Sequence, residues 1–100
     1  MALTNWAYIY LSPNFNKQIQ ITESESCRFK SIGIDFKDKE DALQIAKELV
    51  SEGVQLIELC GGFGPLWVAK VIDAIGGQVP VGSVFYGPED RKPLLDLITK

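Results

Sequence analysis

The chain has 100 residues, which is enough for one folded domain with a single core, and we predict one domain spanning residues 1–100. Hydrophobic residues make up 46% of the sequence, and 10 basic against 13 acidic residues give a net charge of −3, which leaves no basic surface for nucleic acid. The apolar stretches are far shorter than a membrane span, and no basic residue precedes Trp6 as a signal peptide would require. We therefore expect a soluble cytoplasmic protein with neither nucleic acid nor membrane as a partner.

The first half of the chain contains two clear strand patterns and one ambiguous segment. Trp6 to Leu11 is rich in aromatic and branched residues and stops at Ser-Pro-Asn, so it predicts a strand. The segment 14–26 has two interpretations: a short strand at Gln18 to Thr22, where polar and apolar residues alternate, or a long loop. Arg28 to Asp35 predicts the next strand.

A helix follows this strand. Asp38 is the predicted N-cap, and the acidic run Asp38 to Asp41 suits a first helical turn. Gly53 is typical of a C-terminal cap. Between them, apolar side chains recur at helical spacing at Ala42, Leu43, Ile45, Ala46, Leu49 and Val50.

The second half repeats this alternation. Gln55 to Cys60 predicts a strand, Pro65 to Ile75 a helix that ends at Gly76-Gly77, and Val79 to Tyr86 a further strand. A short C-terminal helix is expected to start at Pro93, because proline fits a first helical turn.

These elements predict a small α/β domain. Their order is β-β-α-β-α-β-α, with about four mostly parallel strands and two main crossover helices. Crossovers that step the same way place both helices on one face of the sheet. Alternation along the strands predicts the helix-covered face to be Ala7, Ile9, Leu11, Ile32, Ile34, Ile57, Leu59, Val81 and Phe85. The opposite face then carries Tyr8, Tyr10, Ser31, Gly33, Asp35, Glu58, Cys60, Gly82, Val84 and Tyr86.

The candidate site is the stretch ELCGGFGP, from Glu58 to Pro65. Ligands in open α/β sheets bind beyond the carboxyl ends of the strands, and glycines beside a helix start can present amides to an anion. We predict a small anionic metabolite as a partner here, and no cofactor. The predicted ligand-binding residues are Gly61, Gly62, Phe63, Gly64, Asp35, Tyr86 and Arg91. The alternative interpretations are a purely structural turn and an Arg91 that is solvated or paired with Glu89.

Catalytic candidates are limited by the absence of histidine, which removes Ser-His-Asp and Cys-His catalysis and most zinc sites. Glu58 is the candidate general base and Cys60 the candidate nucleophile. Each also has a structural interpretation, Glu58 as a hydrogen-bonding or subunit-contact residue and Cys60 as a small buried one. Cys27 and Cys60 lack the CxxC spacing of a metal site, so we predict no metal, and one disulfide between them stays open.

The chain also resembles a known family. The run from Ala46 to Pro65, with Val68 to Val71 and Val79 to Gly82, is similar to a family of small prokaryotic α/β domains of unknown function that share an IELCGGFGP signature. The resemblance implies a standalone α/β domain and names no activity. Two hypotheses follow: a module that binds an anionic small molecule at residues 60–64, or a homo-oligomeric interaction protein that buries the face of Tyr8, Tyr10 and Glu58.

Overall fold

A five-stranded mixed sheet organises the computed structural model, which describes residues 2–14 and 16–99. The strands are β1 (Asn5–Ser12), β2 (Gln18–Glu23), β3 (Arg28–Asp35), β4 (Ile57–Leu59) and β5 (Val81–Ser83). The helices are α1 (Asp41–Ser51), α2 (Gly64–Ala74) and α3 (Pro88–Ile98). The strand order is β2-β3-β1-β4-β5, in which β2 runs antiparallel to β3 and the other pairs are parallel. The predicted α/β class is confirmed, with five strands rather than about four.

The additional strand is β2, so the loop interpretation of residues 14–26 is wrong for Gln18 to Glu23. The alternation of glutamine and isoleucine here reflects a real antiparallel pairing, in which Gln20 lies opposite Ser31 and Ile21 opposite Lys30. All six residues of β2 are exposed, since the strand lies at an edge of the sheet. Polar edge strands carry a weak sequence signal because neither face is fully buried.

Both main helices pack on one face of the sheet, as the crossover argument predicts. From β3 to β4 to β5 the chain always moves toward the same edge, so right-handed connections place α1 and α2 on the same side. Their buried residues join alternate residues of three strands, β1, β3 and β4, in a single apolar core. The sheet contributes Ala7, Ile9, Leu11, Ile32, Ile34, Ile57 and Leu59, and the helices and their ends contribute Ala42, Ile45, Ala46, Leu49, Phe63, Val71 and Ile75.

The start of α1 differs from the prediction. Asp38 lies in a 3-10 turn, Phe36–Asp38, and α1 begins later at Asp41 with no side-chain cap. Asp35 caps the 3-10 turn: its carboxylate accepts a hydrogen bond from the N–H of Lys37 at 3.1 Å. The predicted end is confirmed, because Gly53 has a φ of +87° and follows Glu52, the C-cap of the helix.

The C-terminal segment also differs. The last strand ends at Ser83 rather than Tyr86, and the N–H of Val84 still reaches the carbonyl of Leu59 at 2.9 Å before the chain leaves the sheet. Phe85 is therefore 74% exposed instead of packed under the helices, and its predicted place on the covered face is wrong.

The final helix begins at Pro88, five residues before the predicted start at Pro93. Gly87 is extended and Pro88 occupies the first turn, where a missing N–H costs nothing. Pro93 lies inside the helix, where it gives up one backbone hydrogen bond. No residue of α3 is buried.

The sheet face opposite α1 and α2, here called the open face, carries aromatic side chains. The rings of Trp6 and Phe29 lie 4.3 Å apart between centroids, and those of Tyr8 and Tyr10 are stacked at 6.0 Å. Tyr10 lies flat across Gly33, where a Cβ atom would stand only 2.6 Å from the Tyr10 Cζ. Glycine at position 33 therefore lets the aromatic ring lie against the sheet.

Across residues 2–14 and 16–99, no helix is both long and apolar enough to cross a bilayer.

Candidate functional site

A cavity of about 500 Å³ lies beyond the carboxyl ends of β4 and β5, at the edge where the sequence places a site. Three segments form most of its wall: the glycine turn (residues 61–65), the exit from β5 (residues 83–86) and one side of α3. Phe36 and Lys39, from the connection between β3 and α1, complete the lining. The cavity thus brings together segments that are far apart in the sequence.

The glycine turn is a tight connection between β4 and α2. The N–H of Phe63 bonds the carbonyl of Cys60 at 3.2 Å, and the Phe63 side chain, only 3% exposed, enters the core. A Cβ at position 61 would lie 2.6 Å from Tyr86 Cε1, so glycine is needed for this ring to pack on the turn. Gly64 needs its freedom for another reason, since its φ is +74°. These glycines therefore have structural causes that do not depend on a ligand.

The same turn leaves hydrogen-bond donors next to the cavity. Within the described residues, the N–H groups of Gly61 and Gly62 have no hydrogen-bond acceptor. The following helix starts at Gly64 with Pro65 in its first turn, and its positive dipole end lies at the same place. The turn can therefore serve both as a structural connection and as a source of donors.

The charges around the cavity are all of one sign. Lys39 and Arg91 line it, and none of the described lining residues is acidic. Neither cation forms an ion pair with a carboxylate in residues 2–14 and 16–99, so the pairing of Arg91 with Glu89 is not observed. Arg91 instead lies 5.6 Å from the centroid of the Phe85 ring, and its Nη2 is 3.5 Å from the carbonyl oxygen of Tyr86. The cavity therefore holds two cations without a carboxylate partner in that part of the chain.

The rest of the wall is mainly apolar. Aromatic and aliphatic side chains come from the β3–α1 connection, the glycine turn, the exit of β5 and α3, and they are Phe36, Phe63, Val84, Phe85, Tyr86, Leu94, Leu95 and Ile98. Ser83 and Thr99 add two hydroxyl groups. A wall of this composition accommodates a ligand with an apolar body and one charged end.

The two catalytic candidates lie outside the lining. Glu58 is exposed on the open face, where it lies opposite Tyr8 on β1 and Gly82 on β5. The sulfur of Cys60 accepts the N–H of Leu11 at 3.2 Å. The structure does not bring this carboxylate and thiol to the cavity, and their catalytic role stays a prediction.

Tyr8 connects these two residues electrostatically with the cavity wall. Burial raises the pKa of the Tyr8 hydroxyl above its ordinary value, and the nearby Cys60, Tyr86 and Glu58 raise it further, because each disfavours a second negative charge. Tyr86 therefore lies close enough to Tyr8 to affect its pKa, and it also lines the cavity. It is the residue where the two surfaces meet.

The remaining predicted residues separate into two groups. Gly61, Gly62, Phe63, Gly64, Tyr86 and Arg91 all line the cavity, although their role in binding a ligand stays a prediction. Asp35 does not line it and is accounted for by its cap on the 3-10 turn. Both cysteines are free, so the disulfide alternative is wrong. No group of three metal-ligating side chains occurs in the part of the chain that the structure describes.

Sequence reasoning missed part of the wall. The lysine at position 39 and the side chains of α3 other than Arg91 were not candidates, although the edge rule that selected Asp35 applies equally to the whole connection after β3. Lys39 could have been found in this way. Leu94, Leu95 and Ile98 of α3 could not, because their contribution depends on how the helix folds back over the turn.

Comparison with known proteins assigns the chain to a family. No curated protein and no solved structure matches it. A family model described as a family of unknown function (DUF6506) matches residues 4–99, which is nearly the whole length. The extent of this match, beyond the central run that carries the resemblance, shows that the chain belongs to the DUF6506 family of unknown function.

Proposed function

We propose that this domain binds a small amphipathic anion, a molecule with an apolar body and one carboxylate or phosphate group, in the cavity between the glycine turn and α3. The observation that carries the proposal is the charge of the wall. In a chain with a net charge of −3, the described lining contains Lys39 and Arg91 and no acidic residue. Two cations without carboxylate partners beside an apolar surface favour an anionic ligand over a neutral or cationic one.

The walls suggest how such a ligand is held. Its apolar body packs against Phe36, Leu95 and Ile98, and its charged end lies near Lys39 and Arg91. The free N–H groups of the glycine turn provide further donors. A volume of about 500 Å³ falls within the range of roughly 300–1,000 Å³ that is usual for small-molecule sites.

Binding without chemistry is the function that the geometry supports. Glu58 and Cys60 are absent from the wall, and the described lining contains neither a carboxylate nor a thiol. The two groups that the sequence offered for proton transfer and nucleophilic attack therefore lie away from a molecule bound in the cavity. The proposal is for a binding module.

Thermal unfolding tests the proposal with octanoate and phenyl phosphate as probes. A ligand that binds only the folded state stabilises that state by mass action, by about 2.7 kcal/mol at a hundredfold excess over Kd, and so raises the melting midpoint. We expect a rise with at least one anion and none with octanol or phenol, which lack the charge. The double variant Lys39→Gln with Arg91→Gln should lose the rise, whereas Lys47→Gln, an exposed change on α1, should keep it. Equal effects of the anions and the uncharged analogues would refute the proposal.

Self-association through the open face is the alternative function suggested by the sequence. The large apolar side chains that are most exposed in the described residues lie elsewhere, on β2, on α2 and in residues 84–97. The aromatic rings of the open face shield one another and the sheet instead. We therefore favour the cavity over the open face as the functional site.

A further inference from the structure

The strand β2 forms one edge of the sheet, and the cavity lies near the other edge, beside β5. Strand β2 pairs on one side only, with β3, and all six of its residues are exposed. Ile19 and Ile21 are 50% and 46% exposed on the face that carries α1. Natural proteins usually protect such edges with charges, prolines or bulges, because a free edge pairs readily with another strand. The strand QIQITE contains no lysine or proline, its single charge is Glu23 at the end, and its pairing with β3 has no bulge.

We propose that β2 pairs antiparallel with β2 of a second copy of this chain, across a two-fold axis at Gln20, and joins the two sheets into one. In an antiparallel pair, residues directly opposite each other point to the same face. An axis at Gln20 places Lys17 opposite the partner's Glu23, and Ile19 opposite the partner's Ile21. Symmetry repeats both contacts, so the pairing forms two opposite-charge pairs and two isoleucine pairs.

The register follows from the order of these residues. Moving the axis to Ile21 places Ile19 opposite the partner's Glu23. Moving it to Ile19 places Lys17 opposite the partner's Ile21. Both shifts leave the side chains of β2 on the same faces of the joined sheet but place a charged residue opposite an isoleucine. A shift by one residue would move every side chain of the partner strand to the other face. The axis at Gln20 is the one of these three that matches charge with charge and apolar with apolar.

The charged residues at the two ends of the strand are free for this contact. Neither Lys17 nor Glu23 takes part in an ion pair within residues 2–14 and 16–99. The neighbouring Lys30 is already paired with Glu52 of α1 at 3.0 Å, on the same face. Ile19 borders a groove against Ile45 and Leu49 of α1. Pairing would cover both exposed isoleucines next to this groove and extend the apolar layer under α1.

A second copy fits this edge better than an unrelated strand because the complementarity is internal to β2. A different strand would need its own glutamate, isoleucine and lysine in the reverse order. The interface lies at the β2 edge and the cavity beside β5 at the other edge, so the dimer and the ligand site are tested independently.

Sedimentation velocity over a concentration series measures the proposed dimer. The wild-type protein should dimerise. The single variants Lys17→Glu and Glu23→Lys each place like charges opposite one another twice and should raise the dimer Kd by about tenfold or more. The double variant Lys17→Glu with Glu23→Lys restores opposite charges and should return the Kd close to the wild-type value. Recovery in the double variant is the specific sign of this register.

Two controls separate this edge from other surfaces. Lys47→Glu makes the same charge change as Lys17→Glu but on the exposed side of α1, and it should leave the Kd unchanged. Glu58→Gln alters the open face and should also leave it unchanged. The proposal is overturned by a wild-type protein that stays monomeric, by single variants that dimerise normally, or by a double variant that does not recover. Capture of a different strand by the edge would appear as a monomeric wild type and also overturns it.

Discussion

Replacement of Gly64 by alanine isolates the cost of the backbone conformation that begins α2. Gly64 has a φ of +74°, and a Cβ built there meets no atom within 4 Å, so alanine introduces backbone strain without a clash. The left-handed region costs a non-glycine residue about 1–2 kcal/mol. For a domain of this size each kcal/mol lowers the melting midpoint by roughly 4–8 °C, so we expect a fall of about 4–16 °C.

Gly82 provides the matched control. Its Cβ would also meet nothing within 4 Å, but its backbone lies outside the left-handed region. Alanine at this position should be neutral or stabilising by up to about 1 kcal/mol, because it restricts the unfolded chain. Urea unfolding of both variants, followed by tryptophan fluorescence, should separate them by about 1–3 kcal/mol. Equal stabilities for the two variants would refute the structural explanation of Gly64.

Three further predictions concern the turn and the open face. Phe63→Ala should destabilise the fold by about 3–5 kcal/mol in urea unfolding, because the side chain is 3% exposed, whereas Leu66→Ala, at 64% exposed, should change stability by less than about 1 kcal/mol. Gly61→Ala should displace the Tyr86 ring, because the new Cβ would lie 2.6 Å from Tyr86 Cε1. The loss in free energy of octanoate binding should exceed the loss in free energy of unfolding, and unchanged Tyr86 signals in NMR spectra would contradict this. Tyr8 has a raised pKa when folded, so its stabilising contribution is complete below pH 10 and is lost as the pH rises further. Tyr8→Phe should therefore lose less stability than the wild type above pH 10, and parallel melting curves would contradict the shift.

The sequence predicted the elements whose local pattern agrees with their environment. The helical spacing of apolar residues predicted α1, because one stripe of the helix faces the core, and Gly53 predicted its C-terminal end. The direction of the crossovers predicted that both helices cover one face of the sheet, and the alternation along β1 and β3 predicted which side chains face them. Phe85 broke this pattern, since β5 ends before it and its side chain never reaches the sheet.

Other features depended on information that is not local. β2 could be read as strand or loop until its pairing with β3 was known. The start of α3 was placed at the wrong proline, because Pro88 and Pro93 both suit a first turn and a proline is tolerated at a small cost inside a helix. The glycines of the turn predicted a site, yet their packing against Tyr86 and the φ of Gly64 explain them without one. A ligand is indicated instead by Lys39 and one side of α3, which only the fold brings together.

Binding of an amphipathic anion in the cavity through Lys39 and Arg91 is tested most directly by a ¹⁵N–¹H NMR titration with octanoate. We expect saturable shifts of the amide signals of Gly61, Gly62 and Thr99, which line the cavity, and the loss of these shifts in the Lys39→Gln, Arg91→Gln double variant. The amide signals of β2, at the other edge of the sheet, should not move. Shifts of the same size with octanol, or shifts that persist in the double variant, would contradict the account.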